Sequence, residues 1–408
     1  MTAREMSHRD QRMEATSASM IKGRKQSGKE WGERSPERRE VMRFACCTDT
    51  IEISGIRKCF EGAAPGSVNL GLGQPDFDTP EHIKRAAIRA IERGQCGYTP
   101  NCGVPELRAA LAEKFRSENG IDYQPEEIMV TSGASEALFL IIAALVDRGD
   151  EVIIGDPAFL SYLELTKLVG GRPVSVPLDE KLRLSPQAVA ERITSKTKLI
   201  ILNSPSNPTG SVATPEQMKA MAQIAEDRDI ALLSDEVYEH FIYQGEHVSP
   251  ARFSDNVITV NAVSKTYAMT GWRLGYLGAR GSTLEQLLKI HQYVQACASS
   301  ISQAAALMAV SGPQECVAHM RDEFRARRDL LVSGFREMGL DILEPDGAFY
   351  LFPRVGDGDE VAARLGKGGV IVVPGSAFGP GGKEHIRISY AAGRPQLEEA
   401  LRRMKDIL

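Results

Sequence analysis

From Gln124 onward, short β-branched runs take turns with longer stretches of helical periodicity. Ile128 to Thr131 is followed by Ala134 to Val146, Glu151 to Ile154 by Leu160 to Val169, and Leu199 to Leu202 by Pro215 to Arg228. Strands that alternate with helices in this way belong to an α/β domain with a largely parallel sheet. Further strands are predicted at Ile230 to Ser234, Val257 to Asn261 and Leu274 to Leu277. The last two are separated by only about a dozen residues, too few for a strand-helix-strand crossover, so one of them is expected to run antiparallel. After about residue 310 the pattern changes to a long charged helix, Cys316 to Met338. Short strands follow at Phe349 to Phe352, Val370 to Val373 and Ile386 to Tyr390, and a C-terminal helix closes a second, smaller α+β unit.

Charge and composition exclude several function classes. The net charge of −5 on 408 residues supplies no global field for nucleic acid or an acidic membrane surface. The longest apolar run, Ala137 to Val146, is too short to span a bilayer and reads as a buried helix. The seven cysteines (46, 47, 59, 96, 102, 297 and 316) are odd in number, include an adjacent pair and show no zinc-ribbon spacing. A reduced, cytoplasmic chain is the simpler reading. Residues 1–48 stand apart, with eleven Lys or Arg against seven Asp or Glu, no apolar periodicity and no secretory signal. They read as a disordered tail or an overextended start, with Met20 and Met42 as later initiators; a docking or targeting arm is the alternative.

Four segments carry chemistry together. Thr131-Ser132-Gly133-Ala134-Ser135-Glu136-Ala137 turns a strand through glycine into a helix, whose free amides and positive dipole end suit an anion. Asn203-Ser204-Pro205-Ser206-Asn207-Pro208-Thr209-Gly210 is a proline-stiffened loop at the carboxyl end of a predicted strand, where open α/β sheets place their ligands. Leu232-Leu233-Ser234-Asp235-Glu236-Val237-Tyr238 ends an apolar strand in carboxylates, and an ionised Asp235 buried there calls for a cationic partner. A pyridinium nitrogen is such a partner, and the carboxylate keeps that nitrogen protonated in return. Val263-Ser264-Lys265-Thr266-Tyr267-Ala268-Met269-Thr270-Gly271-Trp272-Arg273 offers an amine able to condense with an aldehyde, with Arg273 eight residues on to depress its pKa and clamp a phosphate.

In this order and spacing the four segments resemble the class I/II aminotransferases of pyridoxal-phosphate (PLP) fold type I, from about Ile51 to the C-terminus. The resemblance implies a large domain with a mostly parallel seven-stranded sheet flanked by helices, at residues 77–310, and a smaller α+β domain at 311–408. The segment 49–76 joins the latter. It further implies that Lys265 condenses with PLP and shuttles a proton at the substrate Cα, and that Asp235 pairs with the ring nitrogen. Asn207 and Tyr238 would bond the phenolic oxygen, and Phe159 would stack on the ring, unless Leu160 or Tyr162 faces it instead. Ala134 and Ser135 would give amides to the phosphate, with Arg273 as counter-charge, and Arg387 would grip the substrate carboxylate with Gly73 nearby.

Tyr98 matches a tyrosine that reaches the phosphate of the neighbouring subunit, so the active sites would be shared across a homodimer. One departure is Ala262, where the family usually has Ser or Gly. The missing hydroxyl predicts weaker cofactor retention by about 1 kcal/mol. The activity implied is ping-pong transfer of an amino group between an amino acid and a 2-oxo acid. Within the same fold a C–S lyase, decarboxylase or synthase is the alternative. A regulatory, non-catalytic domain is more remote, because 48 residues are too few for the winged helix such regulators carry. The amino donor stays open among aspartate, alanine, aromatic and branched amino acids, with 2-oxoglutarate the acceptor by family analogy.

Overall fold

The computed structural model describes residues 42, 44–56 and 64–408, so most of the 1–48 segment, and Cys59, lie outside the described residues. The unit Cys46–Leu408 carries every element of the fold described below residue by residue. Its strands are β1 (Val68–Asn69), β2 (Ile128–Thr131), β3 (Glu151–Asp156), β4 (Arg172–Pro177), β5 (Thr197–Asn203), β6 (Ala231–Asp235), β7 (Val257–Ala262), β8 (Gly275–Gly278), β9 (Tyr350–Leu351), β10 (Val370–Ile371), β11 (Val373–Pro374) and β12 (Ile386–Ser389). Its helices are α1 (Glu81–Glu92), α2 (Pro105–Lys114), α3 (Ala134–Leu145), α4 (Leu160–Leu168), α5 (Pro186–Ala190), α6 (Pro215–Asp227), α7 (Val263–Thr266), α8 (Thr283–Val294), α9 (Ser300–Ser311), α10 (Glu315–Glu337), α11 (Gly358–Lys367) and α12 (Arg394–Met404).

Among the described residues, seven strands form one sheet in the order β2-β8-β7-β6-β5-β3-β4. Every pairing is parallel except the two that β8 makes. The link from β7 to β8 holds only α7 and a single 3-10 turn, so β8 returns antiparallel, as its short connection predicts. β7 and β8, inside the sheet and covered on both faces, are buried at every position. α3 covers one face with Leu138, Ile141 and Ile142, which makes it the buried helix expected from the apolar run. β4 has no counterpart among the strands predicted from the sequence. Pro173 and Pro177 mask its pattern, and prolines are tolerated there because β4 is an edge strand.

This topology brings the chemical segments to one edge. Asn203 at the end of β5 pairs with Asp235 at the end of β6, which pairs with Val260 of β7. Gly275, where β8 begins, stands between Thr131 of β2 and Ala262 of β7. A Cβ at Gly275 would lie 2.5 Å from the Ala134 nitrogen, so only glycine lets α3 start this close to the sheet.

The C-terminal elements pack α10 over an aromatic core that includes Phe324, Phe335, Phe349 and Tyr390. The expected strand Val370 to Val373 is broken at Val372. β10 pairs in parallel with β1, and β11 pairs with β12 in the antiparallel set β11-β12-β9. Leu70 is then fixed on both sides, its N–H donating to Ile371 at 2.8 Å and its carbonyl accepting from Ser389 at 2.7 Å. Residues 71–73 are thereby delivered beside Arg387. No helix of the described residues is long and apolar enough to cross a membrane.

Candidate active site

A cavity of about 240 Å³ opens at the carboxyl edge of the sheet. Gly73, Ala134, Ser135, Phe159, Asn207, Asp235, Tyr238, Lys265, Arg273 and Arg387 all line it. Tyr98 does not. It is 93 % exposed and sits on an adjoining open cleft of about 1160 Å³ that also contains Arg273 and Trp272.

Lys265 leaves the sheet on α7, and its Nζ donates to the Gly73 carbonyl at 2.8 Å. Its pKa is lowered to about 8, first by desolvation and then by the positive charges of Arg273 and Arg387, against an opposing pull from Asp235. The sequence assigned that depression to Arg273; burial is the larger cause. At a pKa near 8 an appreciable fraction of the amine is neutral at physiological pH and available as a nucleophile.

Asp235 is buried at the tip of β6 and accepts from the Tyr162 hydroxyl at 2.7 Å. Burial raises its pKa to about 6, while Tyr162 and the Val237 N–H pull the other way. A carboxylate this desolvated gains from any cation brought against it. Tyr162 thus serves Asp235, while Phe159, one residue before α4, meets the Tyr162 ring edge-on at 5.5 Å.

Asn207 is held from behind, its N–H donating to Asn203 Oδ1 at 2.8 Å while the Asn203 amide donates to the Asp235 carbonyl at 3.0 Å. The proline-rich loop is therefore tied to the same strand ends that carry Asp235. Asn207 Oδ1 in turn accepts from Arg387 Nη1 at 2.9 Å. Arg387 Nη2 donates to the Gly71 carbonyl at 2.5 Å, and the Tyr350 and Phe378 rings flank the guanidinium at 4.6 and 4.8 Å. Tyr238 and Tyr350 share a hydroxyl hydrogen bond of 2.8 Å, and burial raises both pKa values, so both stay protonated and able to donate.

At the other end of the cavity Gly133 turns β2 into α3 with a φ of 80°, and a Cβ there would lie 2.6 Å from Arg273 Nη2. The first amides of α3 have no partner within the helix and face the cavity beside an arginine, as an anion site requires. Ala262 is buried at the end of β7 and carries no hydroxyl that could add a donor.

Sequence reasoning did not select Asn203, Tyr350 or Phe378 as site residues, and it named Tyr162 only as an alternative to Phe159 against the ring, not as the partner of Asp235. Asn203 stood within a segment already singled out, and Tyr350 was marked by one polar tip in the apolar run Phe349 to Phe352. Phe378 carries no local signal. The described cysteines are free.

The arrangement combines an amine of lowered pKa, a buried carboxylate, an anion cradle and an arginine poised for a carboxylate. The residues present fit PLP: an aldehyde partner at Lys265, an aromatic wall at Phe159, a ring-nitrogen partner at Asp235 and a phosphate seat at Ala134, Ser135 and Arg273.

Comparison with known proteins shows the family. The profile of the family described as aminotransferase class I and II matches residues 65–404. A probable aspartate aminotransferase of Methanocaldococcus jannaschii is 48% identical over 366 residues, covering 88% of this chain and 97% of that one. An aromatic-amino-acid aminotransferase 2 of Thermococcus litoralis is 42% identical, covering 88% of this chain and 97% of its own length. Among solved structures, an aspartate aminotransferase from Thermus thermophilus with maleate superposes with a TM-score of 0.85 at 39% identity, covering 90% of this chain and all of that one. The chain belongs to the class I and II aminotransferase family, and it is a transaminase.

Proposed function

We propose that this chain is a PLP-dependent transaminase that takes aspartate as amino donor, with active sites shared between two subunits. The observation that carries the cofactor assignment is the facing of Lys265 and Asp235 across one cavity, one with a pKa lowered to about 8 and the other with a pKa raised to about 6. When bound, PLP supplies an aldehyde that condenses with amines and a ring that takes up the electron pair released at the substrate Cα.

The protein's side chains do the rest. Arg387, oriented by Asn207 and the two flanking rings, binds the substrate α-carboxylate bidentately. Lys265 Nζ takes the proton from Cα and returns one when the second 2-oxo acid is aminated. Asp235, steadied by Tyr162, keeps the ring nitrogen protonated. Tyr238, hydrogen-bonded to Tyr350, donates toward the phenolic oxygen with Asn207. Ala134, Ser135 and Arg273 hold the phosphate, joined by the partner's tyrosine at the position of Tyr98. The large and small domains, divided near residue 310, would supply the ring site and the carboxylate site respectively.

Aspartate as donor rests on the names of the Methanocaldococcus and Thermus relatives. The test is a single half-reaction: cofactor-loaded protein is mixed with one amino acid at a time and no acceptor. Aspartate, yielding its 2-oxo acid stoichiometrically with enzyme, is the expected responder. A response confined to tyrosine and phenylalanine would replace aspartate with an aromatic donor, as the Thermococcus relative's name suggests. Release of carbon dioxide or a side-chain fragment would favour a decarboxylase or lyase.

A further inference from the structure

Behind the first turn of α3 lies a buried pair that none of these steps uses. His291, on α8, has no exposed surface. Its Nδ1 lies 2.8 Å from Glu136 Oε1 and its Nε2 lies 2.8 Å from the Asn101 carbonyl oxygen. A backbone carbonyl only accepts, as does an ionised carboxylate, whereas a neutral imidazole has one N–H to give. Both contacts are made with a single charge on each partner when the ring carries two N–H groups, as an imidazolium against a carboxylate.

The pair joins two loops of the site. The second oxygen of Glu136 accepts from the Ser132 N–H at 2.5 Å, inside the turn that presents Ala134 and Ser135. Asn101 lies three residues beyond Tyr98, and its amide donates to the Ala296 carbonyl at 2.5 Å, just past the end of α8. Gln303 also donates to Thr99 at 2.9 Å. Glu136 on α3 is the charged group facing the ring, while the loop side offers the uncharged Asn101 carbonyl.

We propose that His291, held as an imidazolium, is a positioning residue that locks the Tyr98 loop to the Ser132–Ser135 turn and so sets how tightly the phosphate end of the cofactor is held. This rests on the reading that the turn seats a phosphate and that Tyr98 serves the partner's site. The clamp is complete while the ring keeps its second proton. Burial disfavours that proton, but the Glu136 hydrogen bond and charge outweigh burial and raise the ring pKa above that of free histidine. The clamp therefore persists to higher pH than a free imidazolium would, and it is released as pH rises through the raised value.

The probe is pyridoxamine 5′-phosphate, whose amine cannot condense with Lys265. Its dissociation constant for the apo chain is measured by fluorescence across pH for wild type and His291→Gln, with thermal melting as a fold control. Wild type should bind on the order of tenfold more tightly at neutral pH, the equivalent of one charge-assisted hydrogen bond, and the gap should close as pH rises. Equal affinity at every pH overturns the proposal while leaving the cofactor reading intact. Wild type that does not bind the probe overturns both. Should His291→Gln fail to fold, nitrogen-15 resonances of the wild-type histidines decide instead. A buried imidazolium at neutral pH supports the proposal, and a neutral ring at that position contradicts it.

Discussion

At the residue scale, the site depends on two side chains held away from their ordinary protonation ranges in opposite directions. The Lys265 amine, near pKa 8, loses its proton as pH rises through that value. Condensation of PLP with the apo chain should accelerate between neutrality and about pH 8 and level off above it, followed by stopped-flow absorbance. A rate still climbing about tenfold per pH unit beyond pH 9 would contradict the lowered amine. Asp235→Asn removes the charge proposed for the ring nitrogen and should reduce kcat by roughly 10²- to 10³-fold, the usual effect of losing one preorganised electrostatic partner. A smaller loss than tenfold would mean that the ring nitrogen has another partner. Ala262→Ser should tighten PLP binding by about 1 kcal/mol, and an unchanged dissociation constant would remove that position from the phosphate site. Lys265 and Asp235 were legible in the sequence because few side chains can do what amine condensation and ring-nitrogen pairing require, whereas Arg387 was reached only through the resemblance to the family. Tyr350 was not selected, and Tyr162 was named for the ring face rather than for Asp235, because the role of a tyrosine among apolar neighbours is hidden until the group facing its hydroxyl is known.

At the level of single strands and helices, the segment after β6 is anchored by a buried charge network. Glu239 faces Lys114 at the end of α2 and accepts from Asn119 and from Asn261 of β7, each at 2.6 Å. Burial would raise its pKa, but Lys114 and nearby histidines bring it down to about 2. A carboxyl depressed in the fold contributes stability above its unfolded pKa, near 4.3, and loses it as pH falls toward 2. Glu239→Gln leaves the buried Lys114 with only the more exposed Glu118 carboxylate, 3.6 Å away, and should destabilise the fold by about 3 kcal/mol in denaturant titration. A change under 1 kcal/mol would show that solvent already reaches the pair. The antiparallel return of β8 followed from the length of its link. β4 was hidden by its prolines, and the break at Val372 by the fact that each half of one apolar run pairs with a different strand.

For the molecule as a whole, the proposed function puts one residue of each site on the partner. Tyr98 and Tyr293 are 93 % and 86 % exposed, more than large aromatics gain from when left in water. A dimer is expected by sedimentation at micromolar concentration. Mixing Lys265→Ala chains with Tyr98→Ala chains should then raise activity above either variant alone, because one site of each mixed dimer has both residues intact. No gain on mixing would place Tyr98 in its own subunit's site or outside the site altogether. If the amino group moves in two separate half-reactions, initial-rate plots in the two substrates should be parallel. Intersecting lines would exclude a mechanism in which the first product leaves before the second substrate binds.

Everything proposed for the site passes through the Lys265 amine, and an absorbance spectrum of wild type and Lys265→Ala with PLP, before and after a single amino acid is added without acceptor, tests it most directly. Wild type should show a visible band of lysine-linked cofactor that aspartate converts to the near-ultraviolet amine form, and Lys265→Ala should hold no borohydride-reducible link. A wild type without the visible band, or a variant that keeps the reducible link, would contradict the assignment of Lys265.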